Sequence, residues 1–165
     1  TALSFCADPI ALRAMLQCST YHQELCCMLL NPFHLAITVD DLDQARAFYG
    51  GVMGCAEGRS ADHWVDFDFF GHQLVCHKGG ISGVLARNPV DGDAVPVPHF
   101  GVVLDWDDFH QLAARLTEVG VDFIIAPKVR FQGEIGEQAT FFLYDPSGNA
   151  LEFKSCIDPS QLFAK

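Results

Sequence analysis

Residues 32–54 read PFHLAITVDDLDQARAFYGGVMG, and residues 98–120 read PHFGVVLDWDDFHQLAARLTEVG. The shift that lays His34 on His99 also lays Asp40 on Asp105. Each copy opens on a short apolar run with β-branched residues, HLAITV or HFGVVL, which predicts a buried strand. An acidic cluster follows: Asp40, Asp41 or Asp43 in the first copy, and Asp105 or Asp107 in the second. These carboxylates suit the N-cap and the positive end of a helix. Leu42, Ala45, Phe48 and Tyr49 then fall on one helical face, as do Phe109, Leu112, Ala113 and Leu116, and Gly54 and Gly120 fit the C-terminal stops. Self-similarity at this length points to a duplicated supersecondary unit.

Strand-like segments follow each helix. In the first copy they are CAEGRS, HWVDFDFF and HQLVCHK, the last two divided by Gly71. In the second they are VDFIIAP, ATFFLY and NALEFKS, the last two divided by the turn sequence DPSG. In HWVDFDFF, Val65, Phe67 and Phe69 alternate with Asp66 and Asp68, so one face packs and the other is polar. The expected fold class is α+β: two βαβββ units, residues 33–78 and 98–156, pairing into an eight-stranded cupped mixed sheet with helices outside. Residues 79–97, GGISGVLARNPVDGDAVPV, are rich in Gly, Pro and Asp and read as a linker. Residues 1–32 lie outside the repeat and form an N-terminal extension. Asp8-Pro9 and the spacing of Ile10, Ala14 and Cys18 predict a helix in it. Residues 157–165 form a C-terminal tail.

Half of the 165 residues are hydrophobic, enough to bury one core without staples. A net charge of −11 with only ten Lys and Arg, scattered singly, argues against a nucleic-acid partner. No run of 18 apolar residues predicts a membrane span. Seven cysteines without a CxxC pair read as reduced thiols, so a cytoplasmic location is expected.

His34 and His99 stand second in equivalent strand segments, and therefore at matching depth in the two units. In NALEFKS, Leu151 and Phe153 are expected to face the helices and Glu152 the opposite side. Two imidazoles and one carboxylate on a concave surface make a donor set for Fe(II), Mn(II), Zn(II) or a similar ion such as Ni(II), with open positions left for water or substrate.

The stretches FHLAITVDDLDQARAFYGGVMG, PHFGVVLDWDDFHQLAARLTEVGV and FFLYDPSGNALEF resemble the vicinal oxygen chelate superfamily. That group includes glyoxalase I, extradiol catechol dioxygenases, fosfomycin-resistance enzymes and bleomycin-resistance proteins. The resemblance covers residues 33–156. It implies the paired βαβββ cup, a homodimer, a small-molecule substrate, and metal ligands at His34, His99 and Glu152. Departures from the pattern matter equally. The Tyr that extradiol dioxygenases carry before the DPSG-type turn is replaced by Phe142, with Tyr144 two residues along as a substitute acid or base. No Arg follows Glu152 at the place where fosfomycin-resistance enzymes hold a phosphonate.

Glyoxalase I places a fourth ligand on the last strand of its first unit, here HQLVCHK. Gln73 and His77 share one face of it with Val75; His72 shares the other with Leu74 and Cys76. Whichever face looks into the cup offers a fourth ligand or an acid/base group. Arg130 and Glu137 in the loop KVRFQGEIGEQAT are candidates for the substrate rim, and Trp64 and Phe142 for an apolar pocket. The expected function is metal-dependent chemistry of the glyoxalase or dioxygenase type on a small oxygen-chelating substrate. The alternative is a non-catalytic binder of the bleomycin-resistance type.

Overall fold

Both βαβββ units form, with the same topology. The computed structural model describes residues 31–80 and 85–163. The helix expected near Asp8 lies outside the described residues. All the elements named below belong to His34–Lys165, one of the two compact units into which the chain divides.

In the first module β1 (His34–Val39) leads into a helix at Leu42–Ala45, then β2 (Ala56–Ala61), β3 (Trp64–Phe69) and β4 (His72–Lys78). The order across the sheet is β1-β4-β3-β2, with β1 parallel to β4 and the other neighbours antiparallel. In the second module β7 (Phe100–Val103) leads into a helix at Trp106–Glu118, then β8 (Phe123–Arg130), β9 (Gln138–Tyr144) and β10 (Ala150–Cys156). Its order, β7-β10-β9-β8, repeats the first, with β7 parallel to β10. The eight module strands are thus hydrogen-bonded as two four-stranded sheets, and among the described residues no ladder joins one to the other.

The first helix starts where the acidic cluster predicts. The Asp41 carboxylate accepts from the backbone N–H groups of Asp43 and Gln44, each at 2.9 Å, and so caps two otherwise orphaned donors. After Ala45 the helix widens to π geometry over Arg46–Val52, through Gly50-Gly51. The apolar face read from the sequence survives that widening, because Phe48 and Tyr49 are both buried. The Tyr49 hydroxyl donates to Asp145 Oδ2 at 2.9 Å. Asp145 also accepts from the backbone N–H groups of Ser147 and Asn149 and from the Asn149 side chain, so one carboxylate shapes the DPSG turn and ties it to the first module.

One face of each sheet meets a shared core. Tyr49, Phe67 and Phe69 of the first module join Phe109, Phe141 and Phe153 of the second, and Phe69 and Phe153 stand 5.9 Å apart between ring centroids. Burying each such side chain contributes about 1.5–3 kcal/mol, which makes this aromatic seam the main bond between the modules.

The stretch read as a linker contains a third element, the hairpin β5 (Ala86–Val90) and β6 (Asp93–Val97). Asp91 (φ 47°) and Gly92 (φ 80°) form its two-residue turn. Positive φ at both central positions is the type I′ geometry that Asp-Gly favours between strands. Val95 of this hairpin packs with Ile125 and Phe142 in a small second core on the second sheet.

Candidate metal centre

The cup face of each sheet is the one turned from the shared core. On β4 the core takes Leu74 and Cys76, so Gln73, Val75 and His77 share the side of His34. His72 shares the core-facing side of the strand with Leu74 and Cys76. His77 is exposed and lies opposite Trp64, away from the His34 end of β4. Trp64 itself is half-buried at the start of β3.

Gln73 meets His34 directly: His34 Nδ1 and Gln73 Oε1 are 2.8 Å apart. Gln73 Nε2 in turn donates to Asp66 Oδ2 at 3.0 Å. Asp66 was legible in the sequence only as part of a polar alternation.

On the second sheet His99 and Glu152 come together, with His99 Nε2 3.1 Å from Glu152 Oε2. Glu152 is the better shielded, its side chain 13 % exposed against 28 % for His99. Three groups fix this pair. Pro96 O at 2.7 Å takes the His99 Nδ1–H. The Thr140 hydroxyl donates to Glu152 Oε1 at 2.9 Å. Phe142 stands edge-on to the imidazole at 5.2 Å. Lys154 Nζ approaches the same Glu152 Oε2 at 3.5 Å. Thr140 and Lys154 were missed in the sequence, although period-2 alternation on NALEFKS places Lys154 on the face of Glu152. His99, Gly101, Val103, Glu152 and Lys154 line an open cleft of about 200 Å3.

A carbonyl oxygen can only accept, so His99 Nδ1 carries hydrogen and Nε2 of a neutral ring presents its lone pair. That lone pair faces a carboxylate oxygen at 3.1 Å. Two acceptors at this distance require a cation between them, a proton or a metal ion. Donors about 2.1 Å from one ion lie about 3 Å apart when they bind at right angles, so the pair also fits metal coordination. A ring nitrogen pinned by a backbone carbonyl is the usual support of a ligating histidine.

The structure does not gather the expected trio in one chain. Among the described residues no three His, Cys, Asp or Glu side chains form a cluster able to hold an ion. His34 with Gln73, and His99 with Glu152, form two separate side-chain pairs.

The remaining candidates are placed by the following contacts. Arg130 is not on the rim: it is 4 % exposed, and its guanidinium binds Asp93 Oδ2 at 2.6 Å. Glu137 accepts from the Gly133 backbone N–H at 2.8 Å, within its own loop. The Tyr144 hydroxyl accepts from Arg87 at 3.1 Å, and Phe142 is buried in the second core.

Comparison with known proteins gives the same outline. The family model described as Glyoxalase/Bleomycin resistance protein/Dioxygenase superfamily matches residues 32–153. The crystal structure of a glyoxalase/bleomycin resistance protein/dioxygenase from Alicyclobacillus acidocaldarius is 37 % identical and superposes with a TM-score of 0.66. That alignment covers 81 % of this chain and 96 % of the other. A genomically encoded fosfomycin resistance protein from Listeria monocytogenes shares the fold at 18 % identity, with a TM-score of 0.57 and coverage of 81 % and 98 %. Lactoylglutathione lyase from Agrobacterium tumefaciens does so at 17 % identity and a TM-score of 0.55, covering 82 % and 97 %. No curated protein matches the sequence.

Proposed function

Because the chain belongs to the glyoxalase/bleomycin resistance protein/dioxygenase superfamily, we propose that it is a divalent-metal enzyme acting on a small oxygen-chelating substrate. The observation that carries this reading is the His99 Nε2–Glu152 Oε2 approach, two donors with their outer atoms already pinned. His34 is the third ligand, through Nε2. Since one chain keeps His34 apart from the other two, a second copy of the chain supplies it in a homodimer. The donor set of two imidazoles and a carboxylate suits Fe, Mn, Zn or Ni. The free buried thiols of Cys55, Cys76 and Cys156 suit a reducing compartment, and we place the enzyme in the cytoplasm.

When bound, the ion supplies Lewis acidity to adjacent substrate oxygens, the chemistry behind isomerase, lyase and dioxygenase reactions alike. The chain's own groups prepare the place. Thr140 holds the Glu152 carboxylate in one rotamer, and Pro96 O holds the His99 ring in one tautomer. Phe142, packed with Ile125 and Val95 in the second core, forms an apolar wall against one side of the His99 ring. Lys154 places a positive charge beside Glu152, able to steady an anionic oxygen of the substrate.

Metal analysis of protein purified anaerobically without chelators tests the reading. Wild type should hold close to one ion per site, and His99→Ala should lose it. Absence of metal from the wild type, even after titration with Fe(II), Mn(II), Zn(II) and Ni(II), would overturn the enzyme reading and favour a metal-free binder.

A further inference from the structure

Beside the His34–Gln73 pair stands a carboxylate with no evident structural reward. Asp66 is 5 % exposed on β3, and its Oδ1 is buried without a hydrogen-bond partner among the described residues. A buried acceptor left unpaired carries an uncompensated desolvation cost. The nearest cation, Arg59, is 81 % exposed and reaches only to 3.9 Å of Oδ2, a distance at which solvent screens most of the attraction. The fold nevertheless keeps room for this side chain. β2 is bulged between Glu57 and Ser60, and a Cβ on Gly58 in that bulge would overlap Asp66 Oδ1. With the carboxylate in this position, the bulge has no room for a side chain at residue 58.

Among the described residues its one hydrogen bond is from the Gln73 amide. A carboxylate accepts and does not donate, so the amide must turn its NH2 towards Asp66 and its oxygen towards His34. An oxygen at 2.8 Å from His34 Nδ1 then requires hydrogen on Nδ1. The lone pair is left on Nε2, the outer ring nitrogen. His99 reaches the same state by another route, through Pro96 O. Two modules with unrelated local partners thus present the same imidazole nitrogen.

We propose that Asp66 is a positioning residue which, by orienting the Gln73 amide, holds His34 in the Nδ1–H tautomer and leaves Nε2 as the nitrogen offered to a ligand. The purpose of that arrangement rests on the metal reading above; the orientation itself belongs to the metal-free protein and is measured there. Gln73 on this view is the link between a buried carboxylate and a ligand, and not a ligand itself.

Two-bond imidazole 1H–15N correlation spectra of the metal-free, 15N-labelled protein report the tautomer. His34 should appear as Nδ1–H in the wild type. Asp66→Asn is nearly isosteric but can donate as well as accept, so the Gln73 amide is free to turn over. The tautomer ratio of His34 should then shift by about fivefold towards Nε2–H, the worth of one ordinary hydrogen bond. Thermal stability should hold or rise, since a neutral amide costs less to bury than a carboxylate. In the double variant Asp66→Asn with Gln73→Glu the acceptor-only group is moved next to His34, and the Nδ1–H form should return. A wild-type His34 in the Nε2–H form, or an Asp66→Asn spectrum unchanged at His34, overturns the proposal. If the wild-type tautomer is as stated and responds to both variants but no metal binds, the relay stands and the enzyme reading falls.

Discussion

Gly101 lies directly opposite Glu152 in the parallel pairing of β7 with β10, and a Cβ there would overlap the Glu152 carbonyl oxygen. The strand that follows His99 can therefore lie this close to the Glu152 strand only with glycine at that point. Gly101→Ala should cost about 3 kcal/mol by urea unfolding and weaken metal binding as β7 moves off β10. Unchanged stability would show that the two strands separate readily. Buried titrating groups make a second prediction at this scale. Burial, aided by the Asp145 charge, pushes the Cys76 thiol from 9.0 up to about 12, and burial followed by Asp68 pushes Cys55 to about 11. Tyr49 is raised well above 10.0, first by burial and then by Asp145. In the unfolded chain these groups ionise at their ordinary values, while in the folded protein they stay neutral. Their contribution is therefore intact below about pH 9 and is lost as the pH rises through the folded values. Urea midpoints should fall steadily from pH 9 to 11, and Cys76→Ser or Cys55→Ser should flatten that slope. A midpoint that stays constant over the range would contradict the assignment.

At the scale of elements, the β5–β6 hairpin positions the His99–Glu152 pair, because its Pro96 carbonyl holds His99 and its Val95 backs Phe142. One carboxylate secures it: Asp93 Oδ2 lies 2.6 Å from both Lys128 Nζ and Arg130 Nη2. Arg130 is buried, so Asp93→Ala leaves a guanidinium charge stranded, at a cost of about 3–5 kcal/mol. Hydrogen exchange across Ala86–Val97 should accelerate well before exchange in β9 and β10 does. Equal protection in mutant and wild type would mean that Val95 alone holds the hairpin. The hairpin's signal was present in the sequence as Asp91-Gly92, but the surrounding Gly and Pro also read as a linker. What the sequence lacked was any sign that this short element packs on a sheet. That depends on Arg130, which local composition places in a surface loop and long-range packing places in the interior.

At the scale of the whole molecule, the proposed function predicts metal binding shared between copies. On the proposed reading, His34→Ala and His99→Ala would each break every site in their own homodimers. Unfolded together and refolded as an equal mixture, they should regain about a quarter of the wild-type metal content, since half of the dimers are mixed and each holds one intact site. A mixture that stays empty while wild type binds would place the whole site in one chain. Sequence alone determined the duplicated unit, its eight module strands, the helical faces and an acidic N-cap among Asp40, Asp41 and Asp43, because alternation, 3.6-residue spacing and capping chemistry act within a few residues. It also placed Glu152 on the face of β10 opposite the core residues Leu151 and Phe153. The tertiary structure decided the partners: Gln73 and Asp66 for His34, Pro96 O and Glu152 for His99, and Asp93 for Arg130. It also decided that the eight strands hydrogen-bond as two four-stranded sheets. Period-2 alternation fixes which side of a sheet a residue faces, but not which residue of another strand stands beside it. That register comes from ladders such as His34 opposite Gln73 and Glu152 opposite Gly101, closed between residues far apart in the chain.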